Sequence, residues 1–291
     1  MKKLTAIALA ILFAAPVAAE EVDRTLDAAS DGTVHVSNIA GSVAVDGWNR
    51  SEVRVEGTLG RDVEELIFER DGDRVTVRVK VPKRGGRGIA SDLRISVPRD
   101  SSIDIATVSA DIDVTAVLGE QKLEAVSGDI NSEAFEADVE AGTVSGDVGI
   151  AGNGKDSETH GTTVSGDVTL RNVAGEVAAE SVSGDVIVDG GSFERAQFNT
   201  VNGDIEFEAE LRKGGRLSAE TVNGGVDLQF EGDISGRFDI DTFNGDIDNC
   251  FGPKPERTSK YAPGQELSFE EGDGDARITV STMNGDISIC R

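Results

Sequence analysis

Residues 75–81, Val75-Thr-Val-Arg-Val-Lys-Val81, alternate apolar and polar side chains without a break. A period of two predicts a strand with one face in a core and one in water. Shorter runs of the same kind fall at 34–36, 43–45, 53–56, 66–70, 93–97 and 103–105. The best helical candidate, 61–68, is short and runs straight into a strand. Asp71-Gly72 separates two alternating runs and predicts a hairpin turn. The pattern is therefore all-β.

From residue 106 the alternation becomes a repeat. The copies are Thr107-Val-Ser-Ala-Asp-Ile112, Ala125-Val-Ser-Gly-Asp-Ile130, Thr143-Val-Ser-Gly-Asp-Val148, Thr163-Val-Ser-Gly-Asp-Val168 and Ser181-Val-Ser-Gly-Asp-Val186. They continue as Thr200-Val-Asn-Gly-Asp-Ile205, Thr221-Val-Asn-Gly-Gly-Val226, Thr242-Phe-Asn-Gly-Asp-Ile247 and Thr282-Met-Asn-Gly-Asp-Ile287. The steps between copies are 18, 18, 20, 18, 19, 21, 21 and 40 residues. A step near this length predicts a β-solenoid, whose coils of about 18–21 residues cover one another's apolar faces. Ile39-Ala-Gly-Ser-Val43 is a degenerate copy, which places the first coils before residue 106. A weaker phrase, Val173-Ala-Gly-Glu-Val177, gives each coil at least two strands.

In an unbroken strand Val164, Gly166, Val168 and Leu170 share one face, and Thr163, Ser165, Asp167 and Thr169 the other. The apolar set is expected inside. Gly128, Gly146, Gly166, Gly184, Gly203 and Gly245 would then be structural, allowing a bend or a close approach on the inner side. The outer side would carry columns of Thr/Ser, of Ser giving way to Asn, and of Asp.

Composition narrows the function. The chain has 54 Asp+Glu against 28 Lys+Arg, a formal charge of −26. This excludes a nucleic-acid partner, which needs a basic footprint, and argues against anionic lipid. Residues 1–19 read as a secretory signal: Lys2 and Lys3, an apolar stretch, then Val17-Ala-Ala19 before Glu20. Its removal would take the charge to −28. No later stretch is apolar for long enough to span a membrane. The expected organisation is a signal at 1–19, an N-terminal β region with the first coils at 20–105, and the repeats at 106–291 with an inserted loop at 252–272.

Ile39-Ala-Gly-Ser-Val-Ala-Val-Asp-Gly-Trp48, then Val53-Arg-Val-Glu56 and the run of Val-Ser-Gly-Asp-Val phrases, resemble the bacterial β-strand-repeat family labelled "putative adhesin". Nearly all of the chain after the signal is covered. The resemblance implies an exported right-handed parallel β-solenoid (β-helix) of the cell envelope. It carries no catalytic residues and no cofactor.

The residues themselves point the same way. Two histidines, His35 and His160, lie far apart, and no nucleophile triad, zinc spacing or phosphate loop is present. The one basic cluster, Lys80, Lys83, Arg84 and Arg87, has no accompanying motif. The expectation is a non-enzyme without cofactor. The Asp column, Asp129, Asp147, Asp167, Asp185 and Asp204, is a Ca²⁺ candidate. Its alternative role is hydrogen bonding to local backbone. Trp48 is expected to plug the N-terminal end of the core.

Cys250 and Cys290 each lie five residues after the Gly of their copy. Equal positions in adjacent coils predict a disulfide, and make the 40-residue step one coil with an excursion. The expected function is an exported envelope scaffold or adhesin-like surface in the periplasm, on the cell surface or secreted. Its partner would be an unknown envelope or surface component, protein or glycan. The alternative is a glycan-binding or glycan-active parallel β-helix.

Overall fold

A computed structural model describes residues 20–83, 86–259 and 263–291. The expected signal at 1–19 and Arg84 of the basic loop lie outside the described residues. The described residues form strands and turns and contain no helix.

The N-terminal strands are β1 (Glu20–Asp27), β2 (Thr33–Trp48), β3 (Glu52–Leu59), β4 (Glu65–Asp71), β5 (Arg74–Lys80) and β6 (Ser91–Pro98). The middle holds β7 (Ser102–Thr115), β8 (Gln121–Glu124), β9 (Ile130–Ala134), β10 (Val139–Gly142), β11 (Val148–Gly152), β12 (Asp156–Thr162), β13 (Val168–Glu180), β14 (Val186–Asn199) and β15 (Ile205–Asn223). The C-terminal part holds β16 (Val226–Phe230), β17 (Gly236–Asn244), β18 (Ile247–Asn249), β19 (Glu256–Arg257), β20 (Gln265–Glu271), β21 (Ala276–Asn284) and β22 (Ile287–Cys290).

In the middle the repeat sets the register. Along one wall β7, β8, β10, β12, β13, β14 and β15 pair in parallel, each with the next. Along another wall β7, β9, β11 and β13 do the same. Ile130 meets Val148, Val148 meets Val168 and Val168 meets Val186. Their side chains lie in one continuous apolar core.

The expected right-handed parallel β-solenoid, with coils stacked in chain order, is not what forms. Two findings overturn it. First, the order is permuted at both ends. β2 lies between β7 on one side and β5 and β6 on the other. At the C-terminal end β21 lies between β15 and β17, and β22 between β16 and β18, so the last strands of the chain are inserted into the stack. Second, the edges are antiparallel: β1 with β3, β3 with β6, β4 with β5, β17 with β20 and β19 with β20. An open parallel stack would leave a row of unpaired N–H and C=O groups at each end. Strands returning antiparallel satisfy those groups. The 252–272 excursion does this through β20, which covers the outer edge of β17.

The core changes character along the stack. Near the N-terminal end it is Val and Ile. Where the repeat step lengthens it becomes aromatic: Phe193, Phe198, Phe207, Phe230 and Phe238 are fully buried, Phe193 and Phe198 both touch Phe207, and Phe207, Phe230 and Phe238 follow in a row, with centroids 5.7–5.9 Å apart. Phe238 then stacks on Phe269 of β20 at 4.5 Å. A longer coil encloses a wider interior, and close packing needs larger side chains to fill it. Trp48 does not plug the core. It is half-buried at the surface, donates from Nε1 to the Glu52 carbonyl at 2.8 Å, and carries the Arg50 guanidinium 4.7 Å from its ring.

Candidate functional site: the face of the repeated phrase

The phrase does not run as one unbroken strand. Thr163 is 4% exposed, whereas Val164 is 45% exposed. The expected parity therefore fails at the first two positions and holds again at Val168 and Leu170, which are buried. The cause is a turn of the chain within the phrase, which also exposes Val108 and Val201 in copies without a positive-φ glycine. Gly128, Gly146, Gly166 and Gly184 have φ between 144° and 151°. The backbone bends there, and the residues before the bend face the opposite way from those after it.

The glycines do not face the core. A Cβ on Gly166 would lie 2.1 Å from the Gly146 carbonyl oxygen, and on Gly203 2.0 Å from that of Gly184. On Gly245 it would lie 2.0 Å from the Gly285 oxygen. The column is a line of contact between backbones, with no room for a side chain. Among the described residues seven of the Gly carbonyls also accept a hydrogen bond from a hydroxyl of the buried column. Thr163 donates to Gly146 at 3.0 Å, Ser181 to Gly166 at 3.0 Å, Thr200 to Gly184 at 2.9 Å and Thr282 to Gly224 at 2.9 Å. A buried carbonyl without a partner would be costly, so Thr or Ser suits this position, which Ala125 fills in one copy.

The Asp column has a similar role. Asp147 N–H donates to Asp129 Oδ1 at 3.0 Å, Asp167 N–H to Asp147 at 2.9 Å and Asp185 N–H to Asp167 at 2.8 Å. Asp204 N–H donates to Asp185 at 2.8 Å, and Gly225 N–H to Asp204 at 2.7 Å. Each carboxylate thus holds the backbone of the next strand over. Among the described residues no group of three or more His, Cys, Asp and Glu is placed to hold a metal ion. The Asn positions form an amide ladder, Asn284 to Asn223 and Asn223 to Asn202, each 2.9 Å. That ladder runs through the inserted strand β21.

Beside these polar groups the phrase also exposes apolar side chains. Val108, Val126, Val144, Val164, Val182, Val201, Val222, Met283 and Phe243 are each 37–65% exposed. The bridges Ser127–Ser145, Ser145–Ser165, Ser165–Ser183, Ser183–Asn202 and Asn202–Asn223 place them in one column. Asn223–Asn284 and Asn284–Asn244 pairing carries it on to Met283 and Phe243. Nine strands at one strand spacing give a stripe roughly 40 Å long. It ends in a cleft of about 400 Å³ whose lining includes Val222, Met283, Phe243, Glu220 and Asp241. Loss of hydration raises the Asp241 carboxyl pKa, and the neighbouring Glu220 and Glu266 raise it further.

A second concavity, about 660 Å³, collects charged groups that are distant in sequence. Its lining includes Asp104, Glu120, Lys122, Glu140, Glu158 and His160. Parallel register builds one column from them. Asp104 pairs with Lys122, Lys122 with Glu140 and Glu140 with His160. His35 Nδ1 lies 3.0 Å from Asp104 on the far side. The Lys122 ammonium has its pKa raised, first by its hydrogen bond to Glu124 and then by Glu140. This grouping was not foreseen from the spacing of the two histidines. Among the described residues no Phe, Tyr or Trp side chain lines it.

Cys250 and Cys290 form a disulfide with Cα atoms 4.9 Å apart. Ile247 pairs with Ile287 and Asn249 with Ile289, so no strand lies between the two copies. In the basic loop Lys80 is paired with Glu64 at 3.5 Å.

Among solved structures the chain is similar to a "putative adhesin" from Bacteroides fragilis, at 10% identity over 92% of this chain and 96% of that one, with a TM-score of 0.47. A "putative adhesin" from Parabacteroides distasonis aligns at 8% identity over 93% and 97%, with a TM-score of 0.44. A "putative lipid binding protein" from the same organism aligns at 12% identity over 93% and 97%, with a TM-score of 0.38. No curated protein matches the chain. The family profile described as Toastrack DUF4097 matches residues 28–290, and the chain belongs to that family.

Proposed function

We propose that this chain is an exported, non-enzymatic protein of the cell envelope that works as an adhesin-like or scaffolding surface. The observation that carries this reading is the 40 Å-scale column of exposed Val, Met and Phe beside its polar ladders. An apolar column held open to water along nine strands is a contact surface waiting for a partner. The groups around it are occupied in holding backbone, which leaves them no catalytic task. The acidic balance, the signal-like residues 1–19 and a disulfide support an exported location. No helix of the described residues is long and apolar enough to cross a membrane.

The glycan reading has one observation in its favour, the charged concavity around Lys122 and His160. Several carboxylates line it, but among the described residues no Phe, Tyr or Trp offers a face for a sugar ring.

The test is capture of envelope material on tethered protein, followed by mass spectrometry, with cell fractionation alongside. The reading expects export and a component recovered by the native chain but not by a variant with polar residues in the stripe. Cytoplasmic retention, or identical recovery by both, would count against it.

A further inference from the structure

The permuted strand order builds a charge pattern that chain order would not. Arg195 of β14 is in register with Arg216 of β15. Arg216 is in register with Arg277 of β21, and Arg277 with Arg237 of β17. Four exposed arginines therefore stand in four neighbouring strands, roughly 4.8 Å apart along the backbone. They do so in a chain of formal charge −26.

The two ends of this ladder are compensated. Arg195 pairs with Glu176, and Arg237 with Glu270 at 2.8 Å. The two central members, Arg216 and Arg277, have no carboxylate partner among the described residues. Like charges directly opposite one another in a sheet are destabilising. With 54 acidic residues in the chain, nothing in its composition prevents a compensating one at the centre. The next column on the same face is Gln197, Ser218, Thr279 and Asp239. Three of these are neutral hydrogen-bonding groups, and Asp239 at the outer end accepts from the Ser268 hydroxyl at 3.0 Å.

We propose that Arg195, Arg216, Arg277 and Arg237 form a binding ladder for a linear acidic glycan. The glycan's oxyanions, uronate carboxylates or sugar phosphates, seat on Arg216 and Arg277. A guanidinium presents a planar fork that matches either oxyanion with two hydrogen bonds. Gln197, Ser218 and Thr279 then face the sugar hydroxyls. Successive sugars of an extended chain advance by a distance comparable to one strand spacing, so neighbouring arginines can meet neighbouring units. A flat anionic membrane would press the surrounding carboxylates against lipid charge. Nucleic acid needs many phosphate contacts, and four cations in an acidic surface do not supply them. A single chain lying along the ladder meets the ladder alone. This inference stands on the arginine register and does not depend on the apolar stripe.

The test is equilibrium binding of the full chain, at low ionic strength, to polygalacturonate and to a phosphorylated mannan, with dextran and poly(dT) as comparators. The proposal expects saturable binding of at least one acidic glycan and none of dextran. Which polymer binds identifies carboxylate or phosphate as the recognised group. The double variant Arg216→Ser, Arg277→Ser should bind at least tenfold more weakly. Lys83→Ser with Arg87→Ser, equal in charge, should bind as the native chain does. Arg216→Glu should abolish binding while raising the melting temperature, because it gives Arg277 a partner and Arg195 a second one. The proposal is overturned by no binding of either acidic glycan, by equal weakening in both double variants, by poly(dT) binding as tightly, or by a lowered melting temperature in Arg216→Glu.

Discussion

Gly166→Ala tests the contact between backbones that the phrase exists to make. Two costs can be separated. The first is contact: the new Cβ would lie 2.1 Å from the Gly146 oxygen, 2.6 Å from its carbon and 2.8 Å from Asp147 Oδ1. Two of these are backbone atoms, so two strands must move apart. That movement stretches the 3.0 Å bonds from Gly146 N–H to the Ser165 carbonyl and from Ser165 N–H to the Val144 carbonyl. Overpacking of this kind costs about 1–3 kcal/mol. The second is conformation: φ is +146°, where an L side chain costs a further ~1–2 kcal/mol. The expected loss is therefore about 2–5 kcal/mol for Gly166→Ala. Two companions divide it. Gly203→Ala meets the Gly184 oxygen at 2.0 Å without the positive φ, and should lose only the contact part. Gly214→Ala has φ +76° and no atom within 4 Å of its Cβ, and should lose only about 1 kcal/mol. Urea unfolding of the three variants, read as midpoints at common slope, gives the ranking. A Gly166→Ala midpoint equal to the native one, or below Gly214→Ala by less than 0.5 kcal/mol on the order of experimental error, would refute the close-approach argument.

Asp241 has a raised carboxyl pKa, so between 3.8 and that raised value the folded state holds more protons than the unfolded one. Its contribution to stability therefore falls as pH rises through this window. Asp241→Asn should melt higher than the native chain at pH 7, with the advantage disappearing toward pH 4 in a melting series. Reduction of Cys250–Cys290, or Cys290→Ser, opens a 40-residue loop and should remove about 3–4 kcal/mol in the entropic account. Peptide mapping without reductant should recover the two cysteines joined, and hydrogen exchange of the reduced protein should rise first in β18 and β22.

The parallel middle of the fold was legible because the phrase carries its own register. Ser127, Ser145, Ser165 and Ser183 align as the repeat step says they must. The outward turn of Val164 was not legible from alternation, because the turn within the phrase reverses parity for the residues before it. A signal was available: the position before each Val is nearly always Thr, a small side chain able to stay buried while it bonds a carbonyl. The aromatic core was also open to reading, since eight of the eleven Phe follow residue 192. The permuted order was not. Asn223, Asn244 and Asn284 occupy equivalent places in their copies, so any of them could neighbour any other. Only packing of the whole chain decides that Asn284 lies between the other two. The arginine ladder inherits that illegibility, as does the charged column that joins Asp104, Lys122, Glu140 and His160.

The central claim is that the apolar stripe is the working surface. Each stripe Val is already about half buried, so a partner that covers it adds at most ~1 kcal/mol per residue. Replacing Val144, Val164 and Val182 by Ser together should therefore weaken binding by about 2–3 kcal/mol. The direct measurement is a binding isotherm of the full chain on washed envelope fragments, native against Val144→Ser, Val164→Ser, Val182→Ser. The account predicts saturable native binding, at least tenfold weaker in the triple variant, with melting temperatures that agree closely because the substituted side chains lie outside the core. Superimposable isotherms would contradict it.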